Sequence, residues 1–433
     1  MKDEKKDIET RPEPISFLEL TNLVNQWFLV DDQGIIRLLC ATVIANRLAG
    51  DPVWLFIVAP PSGLKTELLN SLDRIVFIHP LSSLTPQTLI SGQKSTENET
   101  SLIFTIDGKI LTFKDFTTIL EMNHTARGEI LSQLREIFDG KYSKSFGNGQ
   151  NVSWEGKVGF IAGVTGAIDL YQSMLNVLGE RFIQYRMGQP DRKLATKKGI
   201  NNSGSIVEIR KKMKEAFLAY FIGVDIPKTA PILSESYQEE IINLCNFATL
   251  ARAGVVRDPR TREVTHAFEP EMPVRFAKQL SLIAQALILM GSIEDQDRKI
   301  LAKIAISSVP KNRANTLEVL AKNRSDISLE GLSGIDDDEN EEMPSDQETE
   351  WTTPSVAVVL GMPTTSTRRI LEELNILGLV DRKKNGGKAD LWIMKEEYQK
   401  IFRRYYVHSS PVKENPNLIQ DVTEVFGKEM ISI

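Results

Sequence analysis

The sequence lacks any apolar run of the roughly 18 residues that a membrane-spanning helix requires; the longest candidate, residues 280–290, is short and contains polar residues. Cysteine and histidine are also scarce, with two Cys and four His in 433 residues, and their spacing matches no zinc site. Cys40 and Cys245 lie in apolar, helix-like surroundings, which is typical of reduced core cysteines. Residues 1–14 are charged and contain proline, unlike a targeting peptide. These absences predict a cytoplasmic protein with no membrane partner.

The net charge of −6 is unevenly distributed along the chain. Residues 336–350 contain nine acidic residues and no basic one. Residues 186–214 have nine Lys/Arg against two acids, and residues 351–413 have eleven against six. Such local positive fields suit a polyanionic partner, although a single charge run is more commonly a solvated face. The length predicts two or three domains.

Residues 54–69 carry the clearest chemical pattern, an apolar strand followed by a Pro/Ser/Gly turn, Lys65-Thr66 and an apolar helix start. A phosphate-binding loop has this order, because turn N–H groups, the helix N-terminus, the lysine and the hydroxyl all contact phosphate or Mg²⁺. Ala59 and Leu64 replace the two glycines of the usual G-x-x-x-x-G-K-[ST] pattern. An ordinary strand-turn-helix with a surface lysine is the alternative. The predicted nucleotide-binding residues are Pro61, Ser62, Gly63, Leu64, Lys65, Thr66 and Glu67.

Strands that alternate with helices predict a mixed α/β core with a mostly parallel sheet up to about residue 187. Asp107-Gly108 is a typical hairpin turn signal, and the Gly/Asn-rich residues 147–151 form another predicted hairpin tip. The predicted helices are 17–28, 34–47, 63–72, 86–90, 126–138 and 168–178; the predicted strands are 54–58, 74–79 and 157–165; the predicted hairpins cover 101–115 and 142–154.

The second half of the chain reads as helical and then as a DNA-binding module. Helices are predicted at 205–222, 234–253, 273–290 and 310–324, whereas residues 325–350 are too polar and acidic to fold. Two helices, 353–360 and 364–377, flank a Gly-Met-Pro turn and predict a helix-turn-helix, and residues 378–394 predict a wing around Asn385-Gly386. A winged helix that contacts only protein is the alternative. The predicted DNA contacts in this module are Thr365, Arg368, Arg369, Lys383, Lys384 and Lys388.

Four further residues follow the loop in the order that an ATPase site requires. Asp115, after the apolar run 110–113, is predicted to hold Mg²⁺ together with Thr66. Thr165 ends the next apolar strand, where a polar side chain would contact the γ-phosphate or the attacking water. Arg181 is predicted to reach a neighbouring subunit's nucleotide as an arginine finger, and Arg275 to act as a second sensor.

With these motifs the chain resembles the AAA+ ATPases, and more closely the minichromosome-maintenance-like helicase ATPases of phages and mobile elements, over about residues 30–405. The resemblance implies ATP and Mg²⁺ as cofactors, a hexameric homo-oligomer, single-stranded DNA in a ring pore and duplex DNA on the winged helix. It also implies that the hairpin at 142–154 is a pore hairpin with Lys144 as a phosphate contact; a structural hairpin is the alternative. The implied domains are a tail (1–15), an ATPase core (16–204), a helical lid (205–308), a winged helix (309–407) with a disordered insertion at 325–350, and a C-terminal tail (408–433).

Two departures from the family pattern bear on turnover. Phe116 stands where a catalytic glutamate normally follows the Walker B aspartate, so either Glu121 or Glu129 orients the water or hydrolysis is slow. Thr165 replaces the commoner asparagine. The expected function is an ATP-dependent DNA helicase or helicase-like motor in the replication of a phage or mobile element. An ATP-switched replication initiator or transcription regulator without unwinding is the main alternative, and a clamp-loading or protein-remodelling ATPase is another.

Overall fold

The computed structural model of the chain describes residues 11–89, 101–146, 151–171, 181–227, 229–323, 350–386 and 389–405. Several predicted features therefore lie outside the described residues, in whole or in part: the tail at 1–10, the hairpin tip at 147–150, positions 172–178 of a predicted helix, the insertion at 325–349, Lys388 and the tail at 408–433. Two compact units share the rest. The first contains the residues up to Asn246 and Met272–Ser308, and the second contains Phe247–Glu271 and the residues from Val309 onward.

The elements follow one another in this order: α1 Phe17–Trp27, α2 Gly34–Ala45, β1 Trp54–Val58, α3 Lys65–Ser71, β2 Ile78–Leu81, β3 Ile110–Phe113, α4 Thr117–Leu120, α5 His124–Phe138, β4 Lys141–Ser145, β5 Asn151–Glu155, β6 Gly159–Val164, β7 Phe182–Arg186, α6 Arg192–Asn202, α7 Ile206–Gly223, α8 Glu235–Arg252, β8 Val255–Arg257, β9 Val264–Ala267, α9 Val274–Leu289, α10 Glu294–Ser307, α11 Lys311–Ala321, β10 Trp351–Thr352, α12 Thr353–Leu360, α13 Thr364–Ile376, β11 Val380–Lys383, β12 Leu391–Met394 and α14 Glu396–Tyr405. Short 3₁₀ turns cover Leu102–Phe104 and Gly166–Tyr171.

A five-stranded parallel sheet organises the first unit, in the order β2-β3-β6-β1-β7. Strands β1, β3 and β6 are buried at every position, as expected when a parallel sheet is covered on both faces. The predicted mixed α/β fold with a parallel sheet is confirmed, and it is compatible with a P-loop-like core. All five strands end at one edge, the carboxyl edge, and begin at the opposite amino edge.

Aromatic side chains fill the core beside this sheet. Phe56 of β1 stacks on Phe182 of β7 with ring centroids 3.8 Å apart, and Phe116 packs against Phe56 at 4.8 Å. Trp54 is fully buried, and its indole N–H donates to the carbonyl of Val158 at 2.7 Å. These rings contribute to the stability of the core on this face of the sheet, because each aromatic side chain buries a large apolar area.

Helices from the middle of the chain belong to the same unit as the sheet. Helix α7 packs on α1 and α3, α9 on α2, and α10 on β7. A buried ion pair joins α2 to α10, with Arg37 Nε 2.7 Å from Asp297 Oδ1. No helix in the described ranges is long and apolar enough to cross a membrane.

The structure corrects several sequence predictions. The hairpin predicted at 101–115 is wrong: residues 102–104 form a 3₁₀ turn, and β3 pairs in parallel with β2 and β6. The strand predicted at 74–79 begins only at Ile78, because residues 72–77 form turns, and residues 86–89 form a turn where a helix was predicted. The helix predicted from residue 168 is a 3₁₀ turn as far as Tyr171. Strand β7, helices α6 and α10, and the hairpin β8–β9 were not predicted.

The second unit contains α11, α12, α13, α14 and a three-stranded sheet of order β10-β12-β11, together with the hairpin β8–β9. Thr352 and Ser355 form a capping box at the start of α12, and Gly361 ends that helix in a left-handed conformation with φ of +60°. Helices α12 and α13 and strands β11 and β12 lie at the predicted positions. Trp351 and Trp392, paired across β10 and β12, are fully buried between these elements.

Candidate functional site

The loop between β1 and α3 adopts a glycine-type conformation without the usual glycines. Ser62 and Leu64 have φ of +60° and +67°. This left-handed region costs an ordinary residue about 1–2 kcal/mol. Gly63 serves a different need, because a Cβ there would lie 2.8 Å from the carbonyl oxygen of Pro60. Backbone strain of this kind is concentrated at functional sites, so the loop is a candidate ligand cradle.

Lys65, the first residue of α3, is buried and turned into the loop. Its Nζ donates to the carbonyl oxygens of Ala59 and, at 3.2 Å, of Pro60. Burial lowers the pKa of the Lys65 ammonium, and the negative charge of Asp115 partly opposes that shift. The ammonium of Lys65 and the carboxylate of Asp115 are therefore close enough to interact.

The remaining predicted loop residues lie around that ammonium. Pro61, Ser62 and Thr66 are exposed, and Gly63 and Leu64 are half-buried. Glu67 is bound from α7 by Arg210, with Arg210 Nη2 2.6 Å from Glu67 Oε1. The loop thus presents a hydroxyl and a cation, whereas the Glu67 carboxylate is engaged by another helix.

A polar network connects the ends of β3 and β6 at the same edge. The Thr117 N–H donates to Asp115 Oδ1 at 3.0 Å. The Thr117 hydroxyl donates to Thr165 Oγ1 at 3.2 Å and accepts the Thr165 N–H at 3.1 Å. Strand β6 lies between β1, which precedes the Lys65 loop, and β3, which precedes Asp115. Thr165 directly follows β6 and so lies between Lys65 and Asp115 along this edge. The structure therefore brings Lys65, Thr66, Asp115 and Thr165 to one edge, and adds Thr117, which the sequence analysis missed.

A second missed pair lies at the end of β7. The Arg186 guanidinium forms two hydrogen bonds to the Asp169 carboxylate, at 2.7 and 2.9 Å, and a third to the carbonyl of Ser307. Arg186 pairs in register with Val58, the residue that precedes the loop. The sequence signal for this pair would have been an Arg at the carboxyl end of a strand next to β1. It could not be used, because β7 itself was not predicted.

Phe116, which follows Asp115, points into the core. Its side chain is fully buried and contacts Phe56, Phe113, Phe160 and Phe182. Of the two substitute acids considered, Glu121 is exposed at the end of α4, and Glu129 forms an ion pair with Lys144 at 3.2 Å. The residue after the aspartate therefore stabilises the core and takes no part in the polar network.

Arg181 and Arg275 lie apart from the loop. Arg181 precedes β7 at the amino edge; it is buried, over the ring of Phe138, and paired with Asp139 at 2.5 Å. Burial lowers the pKa of Arg181 and the hydrogen bond and charge of Asp139 oppose that shift, while the positive charge of Arg275 adds to it, so Arg275 lies within electrostatic range of Arg181. Within one chain, these two cations lie at the opposite edge of the sheet from Lys65.

Lys144 lies on the confirmed hairpin β4–β5, where Tyr142 pairs with Trp154. Its ammonium contacts Glu129 of α5 and lies 5.4 Å from the centroid of the Phe146 ring. Both interactions hold Lys144 against its own chain.

In the second unit, the predicted DNA contacts are exposed. Thr365, Arg368 and Arg369 lie on the first turns of α13, and Lys383 and Lys384 lie at the end of β11. Arg368 pairs with Glu372 on its own helix at 3.1 Å, and Lys383 pairs with Glu350 at 3.1 Å. In both ion pairs the cation is the more exposed partner, whereas Glu372 and Glu350 are partly buried.

The donor set suits Mg²⁺ bound together with a polyphosphate. In the part of the chain that the structure describes, no three His, Cys, Asp or Glu side chains converge on a possible metal position. Mg²⁺ does not require such a cage, because it keeps several waters and binds through one or two protein ligands and substrate phosphates. Asp115 and the Thr66 hydroxyl could hold it in that way.

The fold and the site define a mixed α/β protein with a lysine-containing, glycine-type loop at the carboxyl edge of a parallel sheet. Comparison with protein-family models and with curated proteins finds no match for this chain.

Proposed function

We propose that the chain binds ATP with Mg²⁺ and hydrolyses it. The observation that supports this most directly is the buried Lys65 ammonium in a loop with two left-handed residues, at the sheet edge where Asp115 follows β3 and its charge bears on the pKa of Lys65. If Lys65 were only a surface lysine after an ordinary turn, its ammonium would be exposed and would not be expected to interact with a carboxylate that follows a distant strand.

Each residue has a defined task in this proposal. Lys65 neutralises the β- and γ-phosphates after its Nζ leaves the carbonyls of Ala59 and Pro60. Asp115 and Thr66 would hold Mg²⁺, and a bound Mg²⁺ would supply positive charge against the phosphate oxygens. Thr165, held by Thr117, orients the attacking water or contacts the γ-phosphate. With Phe116 in the core, no carboxylate follows Asp115, and slow turnover is expected.

At the family level, we propose an AAA+ ATPase that acts on DNA. The helices α7, α9 and α10 would form the lid, and α12, α13 and the β11–β12 hairpin the winged helix. Arg181 and Arg275, at the edge away from Lys65, would serve a neighbouring subunit's site in a ring, which the resemblance to helicase ATPases implies to be a hexamer. Exposed Arg368, Arg369, Lys383 and Lys384 support binding of duplex DNA through phosphates.

The nucleotide proposal is tested with Lys65→Ala in an equilibrium titration with a fluorescent ATP analogue. Loss of the charged hydrogen-bond donor should weaken binding on the order of 10- to 100-fold. Lys278→Ala is the matched control: it also removes one ammonium from the first unit, but Lys278 is exposed and paired with Asp51. Equal affinity of the Lys65→Ala variant and the wild type would refute the assignment of the loop.

A forked DNA substrate separates the motor from its main alternative. A helicase should hydrolyse ATP faster when DNA is added and should displace a strand of the fork. An ATP-switched initiator or regulator should bind duplex DNA in a nucleotide-dependent manner without displacing the strand. Strand displacement that persists in the Lys65→Ala variant would contradict both.

A further inference from the structure

The hairpin β8–β9 belongs to the second unit, although about forty residues of the first unit separate it in sequence from α11. Its connecting tip, residues 258–263, includes Arg260 and Arg262, and the guanidinium groups of both are exposed.

The tip has a defined shape. Asp258 Oδ1 accepts hydrogen bonds from the N–H groups of Arg260 and Thr261, at 2.8 and 2.7 Å. The Asp258 N–H donates to the Glu263 carbonyl, and the Arg262 N–H donates to the Asp258 carbonyl, both at 2.9 Å. The bonds from the Thr261 and Arg260 N–H groups lower the pKa of the Asp258 carboxyl, and within this turn Arg262 has a left-handed conformation with φ of +63°. A fixed turn positions charged side chains at a lower entropic cost than a free loop does.

Arg257 ties this tip to the helix α13. Its guanidinium donates to the carbonyl of Arg262 at 2.9 Å and to the carbonyl of Arg369 at 2.5 Å. It also contacts the Glu373 carboxylate at 2.9 Å and the Glu372 carboxylate at 3.2 Å. One side chain therefore links the backbone of the tip to the backbone of α13 at Arg369.

The same contacts neutralise two acidic residues of α13. Glu373 is engaged by Arg257 and by Arg313 of α11, at 2.9 Å in each case, and Glu372 by Arg257 and Arg368. The acidic side of α13 is thus neutralised from within the unit. Exposed arginines lie on both sides of this link, Arg260 and Arg262 in the tip and Arg368 and Arg369 on α13. The acids of the tip are Asp258, whose carboxylate accepts the N–H groups of Arg260 and Thr261, and the exposed Glu263.

We propose that the β8–β9 hairpin is a second DNA-contacting arm, in which Arg260 and Arg262 bind backbone phosphates of the duplex that α13 engages. This inference rests on the proposed DNA binding of α13 and extends it to a segment outside the helix-turn-helix. The arm contributes affinity and orientation, because phosphate contacts carry no direct sequence information.

The test is a fluorescence-anisotropy titration of the full chain on a random-sequence duplex at several salt concentrations, roughly 50–200 mM. The arm variant combines Arg260→Ala with Arg262→Gly, since glycine adopts the left-handed conformation without strain. Loss of two phosphate contacts should make the slope of log K against log salt shallower by about 1.8. Phosphate-ethylation interference should show that the variant no longer depends on phosphates that the wild type requires.

Matched variants separate the possible outcomes. Lys400→Ala removes one exposed cation from α14 of the same unit and should leave the salt slope unchanged, whereas Arg260→Ala alone should reduce it by about 0.9. Arg368→Ala with Arg369→Ala tests α13 itself. If that variant weakens binding while the arm variant keeps the wild-type slope and footprint, the arm proposal is overturned and the proposed function stands. If the wild type does not bind the duplex at low salt, both are overturned.

Discussion

Leu64 shows how a loop can take a glycine-type conformation without a glycine at that position. The position requires a positive φ, and the chain meets that requirement with a residue that tolerates it poorly. Gly63 is needed one position earlier for a separate reason, the close approach of the Pro60 carbonyl. The two demands that a glycine usually satisfies at one residue, backbone freedom and lack of a side chain, are thus divided between neighbours.

This division predicts that glycine is more stable than alanine at position 64, which is the reverse of their usual order in a helix. Leu64→Gly should be more stable than Leu64→Ala by about 1 kcal/mol, because only glycine adopts the left-handed conformation at little cost. The free energy of unfolding, measured by urea denaturation of the two variants, checks this. The same pair of substitutions at Lys193, on the exposed helix α6, should give the opposite order by about 0.5–1 kcal/mol. Greater stability of Leu64→Ala would show that the loop relaxes to another conformation.

Within the sheet, the best-predicted strands were those with long, fully apolar sequences. The strands 54–58 and 157–165 and the run ending at Asp115 were found from the sequence because burial on both faces leaves a continuous apolar signal. Strand β7 is less uniformly apolar than these strands and begins directly after Arg181, so the local sequence did not reveal it. Its pairing with β1, more than one hundred residues away, defines it as a strand.

The hairpin wrongly predicted at 101–115 shows why a turn signal does not define its neighbours. The turn itself is present, since Gly108 has φ of +65°. However, the Asp107 carboxylate accepts the Lys157 N–H, and Ile103 and Ile106 are buried in the core, so residues before the turn pack as irregular chain. Contacts with residues about fifty positions away decided the conformation, and a local pattern contains no information on them.

The candidate site was predictable where it depended on residue order. Lys65, Asp115 and Thr165 were identified because each follows an apolar strand, and parallel strands end at one edge. The pairing of Arg186 with Asp169 and the bridging role of Thr117 depend on side-chain geometry, which sequence spacing does not specify. The partners of Arg181 and Lys144 within their own chain were unpredictable for the same reason.

The aromatic core beside β3 leads to a prediction about the missing glutamate. Phe116→Glu would place a carboxylate after Asp115, but it would also remove a fully buried ring from contacts with four other phenylalanines. We expect the free energy of unfolding to fall by about 3–5 kcal/mol, with no increase in ATPase rate per folded molecule. Phe116→Leu, which keeps the position apolar, should cost less than Phe116→Glu. A faster ATPase in a stably folded Phe116→Glu variant would show that this position can face the nucleotide.

For the whole molecule, the separation of Arg181 and Arg275 from Lys65 has a consequence for assembly. A cation at the amino edge cannot serve the loop at the carboxyl edge of the same sheet, so any catalytic task for these arginines requires a second copy. Such a copy would form a head-to-tail interface, which closes into a ring when the rotation between copies is suitable. The proposed ATPase would then be active only as an oligomer, and each site would use Lys65 from one copy and Arg275 from the next.

Subunit mixing tests that consequence directly. Lys65→Ala and Arg275→Ala should each abolish most ATPase activity when present alone. In a random one-to-one mixture, about a quarter of the interfaces would join an intact Lys65 to an intact Arg275, so about a quarter of the wild-type rate should return. Mixing Lys65→Ala with the double variant Lys65→Ala/Arg275→Ala provides the control and should restore nothing. If native mass spectrometry shows mixed oligomers and the rate stays at the level of the single variants, Arg275 does not act across an interface.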